Sequence, residues 1–166
     1  DSLIKALEIS KILKKRAPEI CIVFGGPGVS YCASEVITNF PDVDYIIRGE
    51  ADFAFPDFIS EYAASNKSPV IKGLVHKADN KIVDLGWPDP VVNLDDLPIP
   101  SYEYCQDHRH EDFWFDQNFG FMIEAGRGCP YNCSFCSTSH YFKRKFRVKS
   151  VKRILQELNH IKDIAY

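Results

Sequence analysis

The sequence predicts an α/β protein in two unequal parts: a parallel sheet with flanking helices, then a first βα unit of a β/α barrel. Three observations carry this. A helical pattern leads into a continuous apolar run, Ile20-Cys21-Ile22-Val23-Phe24, that ends in Gly25-Gly26-Pro27-Gly28. The same order returns with Val43-Asp44-Tyr45-Ile46-Ile47, then Arg48-Gly49-Glu50 and a further helix. Finally, Phe121-Met122-Ile123-Glu124-Ala125 runs into a loop with Cys129, Cys133 and Cys136, followed by another helix. Apolar runs of this kind suit strands covered on both faces. Loops after the carboxyl ends of such strands are where open sheets and barrels both build their sites.

With 166 residues, 45% of them apolar, the chain has room for one ordinary domain or two small ones. A net charge of −3 offers no general attraction to nucleic acid or to membranes, and no apolar run is long enough to span a bilayer. The cytoplasm is the expected location, and neither a membrane nor a nucleic acid is an expected partner. The chain starts at Asp1 and stops at Tyr166, where a second barrel strand is expected, so it reads as a piece of a longer protein.

In order, Leu3, Ile4, Leu7, Ile12 and Leu13 fall mainly on one face of a helix from Ser2 to Arg16, with Ser2 as cap and Pro18 as stop. After the first strand, the glycine turn lacks the Gly-Lys-Ser/Thr of a phosphate loop and the last glycine of a dinucleotide fingerprint, so nucleotide binding is poorly supported. Helices are expected over about 34–40 and 53–64. Residues 70–76 and 81–85 read as a hairpin turning at Asp79-Asn80, and His76 is expected on the surface. Pro88, Pro90, Pro98 and Pro100 exclude long helices from the connector, whose Phe113, Trp114, Phe115 and Phe119 are too apolar for a free tail. Cys105, His108 and His110 lie close together there, but lack a convincing fourth partner for a metal. The last helix carries Val151, Ile154, Leu155, Leu158 and Ile161 at helical spacing behind Ser150 as cap.

The cysteine loop holds three soft ligands and no fourth beside them. Clustered thiolates suit zinc or iron–sulfur ligation, and three protein ligands leave one metal position open for a small molecule. A structural zinc site would recruit His140. Cys21 and Cys32, in a strand and in a loop before a helix, suit core packing better than ligation. Every charged side chain between Ala125 and Gln156 is basic: Arg127, Lys143, Arg144, Lys145, Arg147, Lys149, Lys152 and Arg153. Such residues form a nucleic-acid patch, a solvated face, or a set of cations that stabilises an anionic cluster.

The Cys-x3-Cys-x2-Cys spacing, with Phe135 before the third cysteine, resembles the signature of the radical S-adenosylmethionine (SAM) superfamily. The resemblance implies a 4Fe-4S cluster on Cys129, Cys133 and Cys136, SAM on the open iron, Phe135 near the adenine, and reductive cleavage to a 5′-deoxyadenosyl radical. It also implies an electron donor such as flavodoxin or ferredoxin. Phe146-Arg147-Val148-Lys149-Ser150 is similar to the Phe-Arg-x-Arg-Ser segment that follows this loop in the family, which makes Arg147 a candidate for the cofactor site.

Residues 1–65 resemble the C-terminal half of the cobalamin (B12)-binding domain that precedes the barrel in many of these proteins. That likeness implies a doubly wound, Rossmann-like sheet, with Gly25 and Gly26 beside the nucleotide tail of the corrinoid and Gly49 and Glu50 on the same rim. Asn93-Leu94-Asp95-Asp96-Leu97-Pro98-Ile99-Pro100 is similar to the segment that bridges the two domains. The implied organisation is 1–86 for the cobalamin-binding-like part with its hairpin, 87–119 for the connector, and 120–166 for the start of the radical SAM domain. The implied activity is methyl transfer to a carbon centre of a small-molecule substrate, with radical cyclisation of the anaerobic tetrapyrrole type as the alternative. A zinc module without chemistry is the reading outside the enzymes. No catalytic side chain or substrate identity follows from these residues.

Overall fold

The computed structural model describes residues 2–65, 69–103 and 121–165. The expected connector residues Cys105, His108, His110, Phe113, Trp114, Phe115 and Phe119 lie outside them.

Helix α1 spans Ser2–Arg16 and leads to β1, Val23–Gly25. The ladder starts later than the apolar run predicts. Asp44 takes the backbone N–H of Ile22 at 2.7 Å, and Ile22 O accepts from the backbone of Asp44 and Tyr45, so regular pairing begins at Val23. A single turn, α2 (Pro27–Ser30), and α3 (Ala33–Asn39) follow. Next come β2 (Tyr45–Ile47) and α4 (Ala54–Ser65). Strand β1 pairs parallel to β2, as the buried runs require.

The hairpin strands β3 (Leu74–Ala78) and β4 (Lys81–Asp84) extend the same sheet antiparallel, in the order β1-β2-β3-β4. Asp79 and Asn80 both take positive φ, as a two-residue hairpin turn requires. Alternation along the strands divides the core. Ile46 and Val75 pack with Val29, Ala33, Val36 and Ile37 on one side, where Leu3 and Leu7 of α1 also lie. Ile47 and Leu74 pack with Ala54 and Phe58 of α4 on the other. Helices thus cover both faces, which is the doubly wound arrangement. Cys32 and Cys21 pack against these two clusters, one on each side, as core residues.

His76 departs from expectation. It is only 4% exposed and is the register partner of Tyr45 on β2, with the rings 5.6 Å apart. A short hairpin strand reads as surface in sequence, but here it is paired on both sides.

The described connector is packed. A short turn at Leu94–Asp96 buries Leu94 with Val91 and Leu97. It is tied to the following unit by the guanidinium of Arg153, which donates to Leu97 O, and by the Asp95 carboxylate, which accepts from Ser150 N at 2.8 Å.

The expected strand at 121–125 is absent as a strand. Met122 is 81% exposed, and only Gly126–Arg127 (β5) pairs, antiparallel to Arg147–Val148 (β6). Apolar residues supply strand propensity but no ladder partner, and of residues 121–125 only Ala125 reaches β6's neighbourhood, accepting from Lys149 N at 3.0 Å. Beyond the cysteine loop lies the short helix α5 (Ser137–Tyr141). Helix α6 spans Val151–Ala165 and is capped as predicted, with Ser150 Oγ accepting from Arg153 N at 3.1 Å. Its predicted apolar stripe is largely open: Val151, Leu155 and Leu158 are exposed, whereas Glu157 and Ile161 are buried.

Candidate functional site

The carboxyl ends of β1 and β2 carry the two predicted rim turns, and one hydroxyl joins them. Ser30, fully buried, donates through Oγ to Gly26 O at 2.7 Å and accepts from Gly49 N at 3.1 Å. Gly26 has φ of +89°, a conformation open to glycine, and a Cβ there would meet nothing within 4 Å. Gly25 and Gly26 therefore offer bare backbone to a cleft of about 390 Å³ lined also by Leu3, Ala6 and Val29.

Glu50 does not project from this rim. Its side chain is 2% exposed and lies between two arginines of the cysteine-loop unit. Oε2 accepts from Arg127 Nη1 at 2.9 Å and from Arg147 Nη1 at 3.1 Å. Arg147 Nη2 lies 2.8 Å from Oε1, an ion-pair contact without hydrogen-bond alignment. Arg127 also binds Asp52 at 2.7 Å and Glu124 at 2.8 Å. Hydrogen bonds donated to Glu124 first, then to Asp52 and Glu50, hold its guanidinium more firmly protonated than usual, against the opposing effect of burial. Arg147 donates in addition to Val91 O and lies over the Phe142 ring at 5.6 Å.

Two tyrosines complete the junction. The buried Tyr141 donates its hydroxyl to Gly49 O, and Tyr31 donates to Ser137 O at 2.9 Å. Burial, and after it the Glu50 charge, push the Tyr141 phenol up. Glycine turn and cysteine-loop unit thus share a cleft of about 400 Å³, lined by Gly26, Gly49, Glu50, Asp52, Arg127 and Tyr141.

The loop itself is open. Cys129 and Cys136 are half-buried and Cys133 is exposed, all three unpaired. Phe135 is 90% exposed and Tyr131 is exposed beside it. Gly128, with φ of +97°, brings the chain so close to the carbonyl of Lys145 that a Cβ would overlap it. Cys136 N donates to Cys133 O at 3.2 Å. Hydrogen bonds from the Thr138 hydroxyl, then from backbone N–H groups of Thr138 and Ser139, lower the Cys136 thiol below its ordinary range. Among the described residues no three Cys, His, Asp or Glu side chains converge as a metal site, and His140 is exposed on α5. The donor chemistry, three free thiols within eight residues, fits a thiolate-bound metal group; their present placement does not gather them.

The basic run is mostly consumed by carboxylates. Arg127 and Arg147 pair with Glu50, Lys149 and Arg153 with Glu157, and Lys143 with Asp89. Among the described residues Arg144, Lys145 and Lys152 make no ion pair. Sequence reasoning singled out Arg147 and Glu50 separately but not their contact, and it missed Asp52 and Tyr141. The Gly-Arg-Gly immediately before Cys129 was the available signal for Arg127.

No family model matches the chain. It is 31% identical over 155 residues to an uncharacterized methyltransferase of Pyrococcus horikoshii, covering 93% of this chain and 33% of that protein. Identity is 27% to the hopanoid C-3 methylase of Methylococcus capsulatus, covering 96% and 30%. It is 25% to an anaerobic magnesium-protoporphyrin IX monomethyl ester cyclase of Synechocystis, covering 90% and 29%. The chain therefore spans about a third of the length of these relatives. Among solved structures it resembles the radical S-adenosylmethionine methyltransferase TsrM from Kitasatospora setae, solved with cobalamin and a 4Fe-4S cluster. The TM-score is 0.57 at 12% identity, over 94% of this chain and 31% of that one. That likeness is one of fold.

Proposed function

We propose, from the chain's place among the radical SAM proteins that carry a B12-binding domain, that the whole protein is a cobalamin-using radical SAM methyltransferase acting on a carbon centre. The observation that carries this is the shared cleft: the open cysteine loop is bolted to the very rim that bears the glycine turn. A cysteine loop whose base is tied to the rim of the glycine turn suits a reaction that uses two cofactors.

In this reading Cys129, Cys133 and Cys136 hold a 4Fe-4S cluster, and the low thiol pKa of Cys136 favours the thiolate form that ligation uses. When bound, the cluster supplies the electron that cleaves SAM, and cobalamin supplies the carrier for the methyl group. The chain's own residues do the rest. The exposed Phe135 offers a ring for the adenine, Gly25 and Gly26 let backbone approach the corrinoid tail, and Gly49 shapes the rim between them. Arg127 and Arg147 put positive charge at the base of the loop while spending it on Glu50. The domain limits 1–86, 87–119 and 120–166, an electron donor such as flavodoxin or ferredoxin, and the cytoplasm as location belong to the same proposal. No helix among the described residues is long and apolar enough to cross a membrane. Radical cyclisation is the second reading, favoured by the match to the cyclase.

The test is anaerobic reconstitution of the intact protein with iron, sulfide and hydroxocobalamin, followed by reductant and SAM. Deoxyadenosine formation that disappears in Cys133→Ala, with stoichiometric corrinoid, is the expected result. Deoxyadenosine without corrinoid would turn the assignment towards chemistry other than methyl transfer. Zinc in the loop with no deoxyadenosine would refute the enzyme reading altogether.

A further inference from the structure

The geometry points to Glu50 as a positioning residue for the cysteine loop, so that the loop takes its working shape only while docked on the sheet. This rests on the reading of that loop as the reactive centre. The base of the loop is the two-residue ladder β5·β6, whose register sets Arg127 directly opposite Arg147. Like charges facing across a pair of strands destabilise it. A ladder of two residues has little else to hold it together.

The charge that reconciles the two arginines comes from the other unit. Glu50 follows β2, is 77 and 97 positions away from them in sequence, and is buried against both. Asp52 and Glu124 serve Arg127 alone, whereas Glu50 is the carboxylate common to the pair. Among the described residues, the hydrogen bonds of its side chain all go to these guanidiniums. Because the contact needs β2, the turn at Gly49 and the sheet in place, loop shape is conditional on docking.

The experiment uses the intact, metal-free, reduced protein. Iodoacetamide labelling of Cys129, Cys133 and Cys136 is followed by mass spectrometry, with Cys21 and Cys32 as internal references for the sheet. Glu50→Gln is expected to speed labelling of Cys129 roughly tenfold while the references keep their wild-type rates. Adding Arg147→Gln to it removes one of the two facing cations, so the double variant is expected to return to within about threefold of wild type. A purely adhesive role predicts the opposite, a double variant at least as fast as the single one. Loss of iron to a chelator after reconstitution should follow the same order.

Wild-type labelling in Glu50→Gln, or no rescue by the second substitution, would overturn the proposal. If the references also accelerate, Glu50→Gln has unfolded the sheet, and Arg147→Lys decides: faster Cys129 with unchanged references supports the role, and unchanged Cys129 refutes it. A wild-type protein that takes up no iron would remove the cluster reading, yet the labelling order would still decide the role of Glu50.

Discussion

At Cys136 a thiol is tuned by its neighbours alone. The Thr138 hydroxyl, and after it the backbone N–H groups of Thr138 and Ser139, hydrogen-bond to the sulfur and favour the charged form. Protonation must break these bonds, so the thiolate persists to lower pH than in a free cysteine. Alkylation of Cys136 in the metal-free protein should therefore reach half its maximal rate at a lower pH than a cysteine peptide does. Thr138→Val should move that midpoint back up and slow labelling at neutral pH by roughly two- to fivefold. A profile that Thr138→Val leaves in place would refute the hydrogen-bond explanation. None of this was visible from the cysteine spacing, because it depends on how the chain turns into α5. The identity of the three thiols was visible, since their chemistry does not depend on the turn.

At the scale of elements, α6 shows what periodicity reveals and what it conceals. Its helical repeat and the Ser150 cap are local facts, and both are present. What the helix buries is not given by that repeat: Glu157 points inward, fully buried, with Lys149 Nζ at 2.7 Å and Arg153 Nε at 3.2 Å. A carboxylate 8 residues from its lysine carries no pattern by which sequence could pair them. Glu157→Gln leaves the buried Lys149 ammonium uncompensated and should cost about 3 kcal/mol in a denaturant melt. Replacing Glu157 and Lys149 together by Leu and Met should recover most of that loss, and a Glu157→Gln variant of wild-type stability would contradict the pairing. Strand 121–125 failed for a related reason: four apolar residues among five announce a strand, but only a neighbouring strand makes one. By contrast β1, β2 and the β3·β4 hairpin were legible, since Gly25-Gly26, Gly49 and Asp79-Asn80 punctuate runs whose partners lie nearby.

Across the whole molecule, apolar side chains remain uncovered on several of the described helices, most of all on the first and the last. Ile4, Ile9 and Ile12 on α1 and Val151, Leu155 and Leu158 on α6 are all exposed. Surfaces of this kind associate. These 166 residues by themselves should sediment as concentration-dependent oligomers, and Ile9→Lys with Leu158→Lys should shift them towards monomer. A wild-type chain that stays monomeric at all concentrations would show that these faces do not self-associate.

The junction at Glu50 also sets a rule for exchange between relatives. Recombination that swaps the sheet unit while keeping the cysteine unit would separate position 50 from positions 127 and 147, and only parents that share this triplet would yield working hybrids. In such exchanges the three residues should therefore behave as one character. In a diverging lineage, a change at any one of them opens a window in which compensation at another becomes advantageous, so substitutions here should arrive in clusters.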